Sequence, residues 1–199
     1  MRPPVILGGG PAGSAAALAL RRAGQPAIVL ERSAHMADKL CGDFLGVSAI
    51  RAIEAYGIDV AALGGQPLAT LRIVRRERAR ETALPFRAAG LSRRVLDEAL
   101  LGHAELAGAV VLRGVPARAP RQEGLDLIVA ARGRAPMETG TVFLATGSID
   151  PEGRPRASDG PRLLALKATF KLRPEQTNAL RGHVELVSLP GGHAALHLV

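Results

Sequence analysis

Val5-Ile-Leu-Gly8-Gly9-Gly10-Pro11-Ala12-Gly13-Ser14 runs a short apolar stretch into a glycine-rich turn, and Ile28-Val-Leu-Glu31 repeats the apolar stretch a little further on. Pro4 to Leu7 predicts a buried parallel strand, because it is apolar on both faces and stops at glycines. Ala12 to Ala23 predicts a helix, with Arg21 and Arg22 near its negative dipole end and Gly24 as its cap. Ala27 to Glu31 predicts a second strand. Strand, helix and strand within about thirty residues form a βαβ unit with a right-handed crossover. The spacing Gly8-x-Gly10-x-x-Gly13 falls between the first strand and the helix, where it has a physical meaning. The first glycine permits a tight turn, the second lets the backbone approach a pyrophosphate, and the third lets helix and strand pack closely. The helix start offers free amides and a positive dipole end to phosphates.

Glu31 stands 18 residues beyond Gly13, at the end of the second strand. There it can accept hydrogen bonds from ribose hydroxyls, and its charge repels a 2′-phosphate, which argues against NADP in this pocket. The reading is a dinucleotide site. The bland alternative is a glycine-rich turn of an unrelated α/β fold, with Glu31 a solvated strand end and Ser14 an ordinary helix residue. A short-chain nicotinamide dehydrogenase is excluded, since it needs Tyr-x-x-x-Lys and the one tyrosine, Tyr56, is followed by Val60.

The wider composition narrows the class. At 199 residues the chain holds one substantial domain, or one and part of a second. Its 47% hydrophobic and 22% charged residues are those of an ordinary globular protein and exclude disordered and collagen-like classes. Cys41 has no partner for an intramolecular disulfide, which points to a cytoplasmic setting. The net charge of +8 is carried almost wholly by arginine. A nucleic-acid partner is disfavoured because the arginines are scattered and aromatic residues for base stacking are few. The denser run Arg72 to Arg80 reads as a solvated strand edge. No stretch approaches the roughly 20 apolar residues that span a bilayer. A signal peptide is also disfavoured, because Gly8 to Pro11 interrupt the apolar region and Arg21 and Arg22 occupy the cleavage position.

Downstream, a polar loop covers Ser33 to Asp43 and a helix is expected over Val47 to Tyr56, closed by Gly57. Thr70 to Arg75 and Thr82 to Phe86 predict antiparallel strands. Ser92 is the expected N-cap of a helix from Arg93 to Leu106, and Val110 to Leu112 predicts a strand. Val115 to Arg121, Leu125 to Arg132 and Met137 to Thr141 predict a three-stranded meander, turning at Glu123-Gly124 and Gly133-Arg134. Val142 to Ala145 returns to the buried sheet. Asp150 to Pro161, rich in Gly and Pro, is the expected linker. Leu163 to Leu172, His183 to Leu189 and His193 to Val199 are expected strands.

Four further motifs join the amino-terminal pattern in resembling FAD-dependent oxidoreductases of the geranylgeranyl reductase, flavin monooxygenase and halogenase superfamily. Lys39-Leu-Cys-Gly42 is similar to the group's Lys-x-Cys-Gly segment, and Leu91-Ser-Arg-Arg-Val-Leu-Asp97 to its Ser-Arg-x-x-x-Asp helix start. Leu144-Ala-Thr-Gly147 resembles its strand end near the adenosine, and Leu166-Lys-Ala-Thr-Phe170 the opening of its substrate-domain sheet. The resemblance runs the length of the chain. It implies an α/β fold: a Rossmann-like FAD-binding domain over residues 1–160, with a β insertion near 66–90. Residues 161–199 would begin an antiparallel substrate-domain sheet, apparently truncated.

The resemblance also implies a set of cofactor residues. Gly8, Gly10, Pro11, Ala12 and Gly13 would hold the pyrophosphate, and Glu31 would bind the adenosine ribose with Arg32 beside it. Cys41 and Gly42 would line the flavin, Arg93 would sit near its phosphate and ribityl region, and Thr146 and Gly147 near the adenosine. Arg93 also has its own physical case, since a guanidinium at a helix start can fork onto a phosphate; a solvated helix charge is the alternative. Cys41 is read as a small lining residue rather than a nucleophile. NAD(P)H would reduce the FAD, and the reduced flavin would act on a small organic substrate, by alkene reduction or oxygen activation. No catalytic acid or base can be named from the sequence. A metal site at His193 and His197 is disfavoured, because the segment reads as a strand and no glutamate lies between them; His35, His103 and His183 are read as isolated and exposed. The group's following Gly-Asp-Ala motif does not occur before Val199. That departure leaves an alternative, a non-catalytic dinucleotide-binding fragment or assembly partner.

Overall fold

The computed structural model describes residues 2–155 and 164–199. In chain order the elements begin with β1 (Val5–Leu7), α1 (Pro11–Arg22), β2 (Ile28–Glu31), β3 (Phe44–Leu45), α2 (Val47–Glu54), β4 (Gln66–Arg75) and β5 (Arg78–Gly90). They continue with α3 (Arg93–Leu106), β6 (Val110–Arg113), β7 (Arg121–Glu123), β8 (Asp126–Val129), β9 (Met137–Thr139) and β10 (Val142–Leu144). The last are α4 (Pro174–Leu180), β11 (His183–Leu189) and β12 (Gly192–Leu196). They fall into two compact units that interleave along the chain: Met1–Ala37 with Leu96–Arg162, and Asp38–Val95 with Leu163–Val199.

The first unit is built on a four-stranded parallel sheet of order β10-β1-β2-β6. β1 lies between two neighbours and is buried along its whole length, which is why it is apolar at every position. From β1 the chain passes to β2 on one side, and β10 later pairs on the other, so the strand order switches at β1. α1 turns Gly13, Ser14, Ala17 and Leu18 inward, and its small residues permit close packing. It ends as expected, with Arg21 and Arg22 in the last turn and Gly24 at φ +70°. The three-stranded sheet β7-β8-β9 supplies Val129, with Met137 packed beside it, to a core shared with Val5, Leu7 and Leu30.

The meander is shorter than its apolar pattern predicts. Pro116 and Pro120 have no N–H to give to a ladder, so Val115 to Pro120 contributes two isolated bridges, Ala117 to Ala131 and Arg118 to Glu152, and the strand starts at Arg121. The expected linker is described as far as residue 155; residues 156–161 lie outside the described residues.

The second unit holds a mixed sheet of order β12-β11-β4-β5-β3, antiparallel except where β11 runs parallel to β4. Its core is Leu68, Ala88 and Val184, with Leu71 and Leu84 against them. β4 and β5 extend beyond the predicted strands and carry a bulge between Leu68 and Thr70. The strand expected over Leu163 to Leu172 is corrected: residues 164–172 form no strand, and Leu163 lies outside the described residues. Leu164, Leu166 and Phe170 are exposed, because among the described residues no strand pairs with this segment. α4, with Pro174 in its first turn, and the two-residue β3 were not foreseen. Among the described residues no helix is long and apolar enough to cross a membrane.

Candidate functional site

The glycine turn lies at the carboxyl end of β1, at the switch point of the parallel sheet, where α/β folds open a ligand crevice. Its glycines are demanded by packing. Gly8 has φ +109°, and a Cβ there would run into the carbonyl of Ala145 and lie 3.3 Å from Thr146 Cα. A Cβ on Gly13 would overlap the Gly8 carbonyl. Gly9, a variable position of the motif, is tight but less constrained: its Cβ would come within 3.1 Å of Glu31 Cβ and 3.0 Å of Leu101 Cδ2, side chains that must give by a few tenths of an ångström. Gly10 is the extended N-cap of α1, and Pro11 occupies the first turn, where its missing N–H costs nothing. No side chain caps this helix start and no acid sits in its first turn, so the orphan amides and the dipole's positive end stay available to an anion. Ser14 is buried and donates its hydroxyl to the Gly9 carbonyl at 3.0 Å, a brace on the turn rather than a ligand group.

Glu31 is 6% exposed. One carboxylate oxygen accepts the Gly9 N–H at 2.7 Å and the other the Ser33 N–H at 2.8 Å. The side chain therefore ties the end of β2 to the glycine turn, a role its strand-end position did not reveal. Each oxygen keeps a further lone pair, so ribose hydroxyls can still donate to it. Arg32 is exposed beside it. Thr146 and Gly147 follow β10 and line a cavity of about 170 Å³ with Leu144, Pro151, Arg154 and Pro155. The first unit thus brings together Gly8, Gly10, Pro11, Ala12, Gly13, Glu31, Arg32, Thr146 and Gly147.

Cys41, Gly42 and Arg93 gather in the second unit around a residue the sequence reading passed over, Asp43. Its side chain is buried, and its backbone takes φ +54°, rare outside glycine. Asp43 Oδ1 accepts the Arg93 N–H at 3.2 Å, and its carbonyl accepts the Leu91 N–H at 2.8 Å. Oδ2 pairs with Lys167 Nζ at 2.5 Å. Asp43, rather than Ser92, therefore takes the first amide of α3; the Ser92 hydroxyl faces Asp38 at 3.4 Å. His197 Nε2 lies 2.5 Å from the Gly42 carbonyl, and its ring meets Phe44 edge-on. Cys41 is half-buried, with a free thiol. Among the described residues no three His, Cys, Asp or Glu side chains converge as a metal would require. His35 is exposed as expected, but His103 and His183 are half-buried, because each sets a ring nitrogen against a backbone carbonyl.

A glycine turn packed against two strand ends at the switch point of a parallel sheet, with an uncapped helix start and an acid on the second strand, defines a dinucleotide-binding α/β domain. Residues 3–143 match the FAD binding domain family, and the chain belongs to that family. No curated protein sequence matches it. Among solved structures, a flavoprotein/dehydrogenase from Cytophaga hutchinsonii aligns with a TM-score of 0.68 at 15% identity, over 93% of this chain and 49% of that one. The flavin-dependent brominase Bmp2 aligns at 0.63 and 17% identity, over 74% of this chain and 38% of its own. The flavin-dependent monooxygenase PieE, solved with FAD and substrate, aligns at 0.60 and 20% identity, over 73% and 30%. The chain thus spans between about a third and a half of the length of these structures, which share its fold.

Proposed function

We propose that this chain is the FAD-binding part of a flavin-dependent oxidoreductase. The observation that carries the reading is the glycine cradle at the switch point: Gly8, Gly9 and Gly13 are places a Cβ would fill, and they leave an uncapped helix start facing the crevice. These residues fit a pyrophosphate, so Gly10, Ala12 and Gly13 would hold it through backbone amides, with Pro11 setting the first turn of the helix beside it. Glu31 would orient the adenosine ribose beside Arg32, and Thr146 and Gly147 would border the adenosine. In the second unit, Cys41, Gly42 and Arg93 are assigned to the flavin side, with Asp43 and Lys167 fixing the loop that carries them.

When bound, the flavin supplies the hydride and electron chemistry, and the protein contributes position, electrostatics and exclusion of water. NAD(P)H is the assigned electron donor, and a small organic substrate of isoprenoid or polyketide type the acceptor, in a cytoplasmic setting. The division into an FAD-binding domain over residues 1–160 and the start of a substrate domain over 161–199 belongs to the same reading. Competition tests it. If the glycine turn and Glu31 hold the ADP half, ADP displaces FAD and FMN does not. Displacement by FMN alone would overturn the assignment. NAD(P)H oxidation by the FAD-loaded chain then separates an enzyme from a binding module.

A further inference from the structure

The β4–β5 hairpin carries its arginines in two different ways. Arg72 is neutralised, with Nε 2.7 Å from Glu81 and Nη1 3.1 Å from Glu185. The strand register pairs Arg75 with Arg78 and Ile73 with Arg80. Alternation therefore places Arg75, Arg78 and Arg80 on one face around Ile73, and Arg72 and Glu81 on the other. Arg76 and Glu77 form the two-residue turn, with Arg76 at φ +54°. All four of these arginines are exposed, and Ile73 is 48% exposed among them. Among the described residues none of Arg75, Arg76, Arg78 and Arg80 forms an ion pair; Arg80 donates to the Ala79 carbonyl at 3.1 Å.

Two features of this tip work against the hairpin. Like charges stand directly opposite each other at Arg75 and Arg78, and a long side chain occupies a left-handed position that glycine or asparagine suits better. Neither is offset by an ion pair among the described residues, the pattern expected where a site serves something other than the fold. Protection of the β5 edge, which β3 covers only at Ala89 and Gly90, accounts for charge but not for its sign.

We propose that this arginine face docks an acidic segment of a partner protein, with carboxylates forking onto the guanidiniums around an apolar contact at Ile73. Nucleic acid suits it less well, because the tip from Ile73 to Arg80 carries no aromatic side chain on which a base could stack, and the hairpin's exposed Phe86 lies six residues beyond Arg80 along β5. A labelled amphipathic Glu/Leu peptide, followed by fluorescence anisotropy with the full chain, tests the proposal. Binding weakens as salt rises. Arg75→Glu with Arg78→Glu lowers affinity by at least about tenfold. Arg132→Glu with Arg134→Glu, the same charge change at an exposed turn of the first unit, shifts it by less than about threefold. The hairpin reversal also gains affinity for a Lys/Leu peptide. Circular dichroism reports folding, and Arg75→Gln with Arg78→Gln reads the same loss should the reversal misfold. Equal losses in both double variants, no peptide binding at low salt, or tighter hairpin-dependent binding of duplex DNA or phosphatidylserine vesicles would overturn the proposal.

Discussion

Beside a loop assigned to the cofactor stands a buried carboxylate in each unit, Glu31 in the first and Asp43 in the second, and these two are satisfied by opposite means. Glu31 spends both oxygens on backbone amides, of Gly9 and Ser33, and among the described residues no cation pairs with it. Asp43 gives one oxygen to the Arg93 amide and the other to the Lys167 ammonium. An acid held by amides keeps its remaining lone pairs for a ligand, which the proposed ribose contact requires. An acid held by an ammonium is neutralised and serves the loop around it. The same residue chemistry thus leaves lone pairs for the proposed ribose contact in one unit and makes a clamp in the other.

Mutations can break that contrast, beginning with the turn Glu31 supports. Gly13→Ala forces a methyl group into the Gly8 carbonyl; flavin titration should show affinity falling beyond about 100-fold, about 2.7 kcal/mol. Glu31→Ala strands two amide donors and should lower stability by about 2 kcal/mol in urea unfolding, with flavin affinity falling in parallel. Lys167→Met leaves Asp43 buried without its cation. It should lower the urea midpoint of unfolding, and adding Asp43→Asn should recover part of the loss, because the amide oxygen still accepts from Arg93. Additive losses in that double variant would show that the ion pair is no clamp.

The smallest effect is the pH response of the Arg72 network. The hydrogen bond from Arg72 holds the Glu81 carboxyl below its ordinary value of 4.5. Its folded pKa is thus lower than its unfolded one, so its stabilisation is complete above 4.5 and is lost as pH falls through the lowered value. Because the group is exposed, the melting temperature should drop only slightly through this window, and Glu81→Gln should flatten that component.

How much of this could be read in advance follows the distance between partners. The βαβ unit was legible because strand, turn, helix and strand are contiguous and each carries its own signal. α3 begins and ends where its pattern predicts, and β11 spans the expected residues. Glu31 was placed correctly on its strand, yet its bond to Gly9, 22 residues away, was not, since no local pattern encodes it. Asp43 looked like one more polar loop residue, because its partner Lys167 lies far along the chain. The alternating apolar residues from Leu164 to Phe170 resembled a strand, but alternation says nothing about whether a neighbour is present to complete the ladder. The arginine run was expected to be a solvated edge, and only the strand register separates neutralised Arg72 from the unpaired face at the tip.

The most direct test is the visible absorption spectrum of the purified chain after incubation with FAD and desalting, recorded beside that of Gly13→Ala. The account predicts that the flavin bands stay with the native chain and leave the variant. A folded native chain that retains no flavin, or a variant that retains as much, would contradict it.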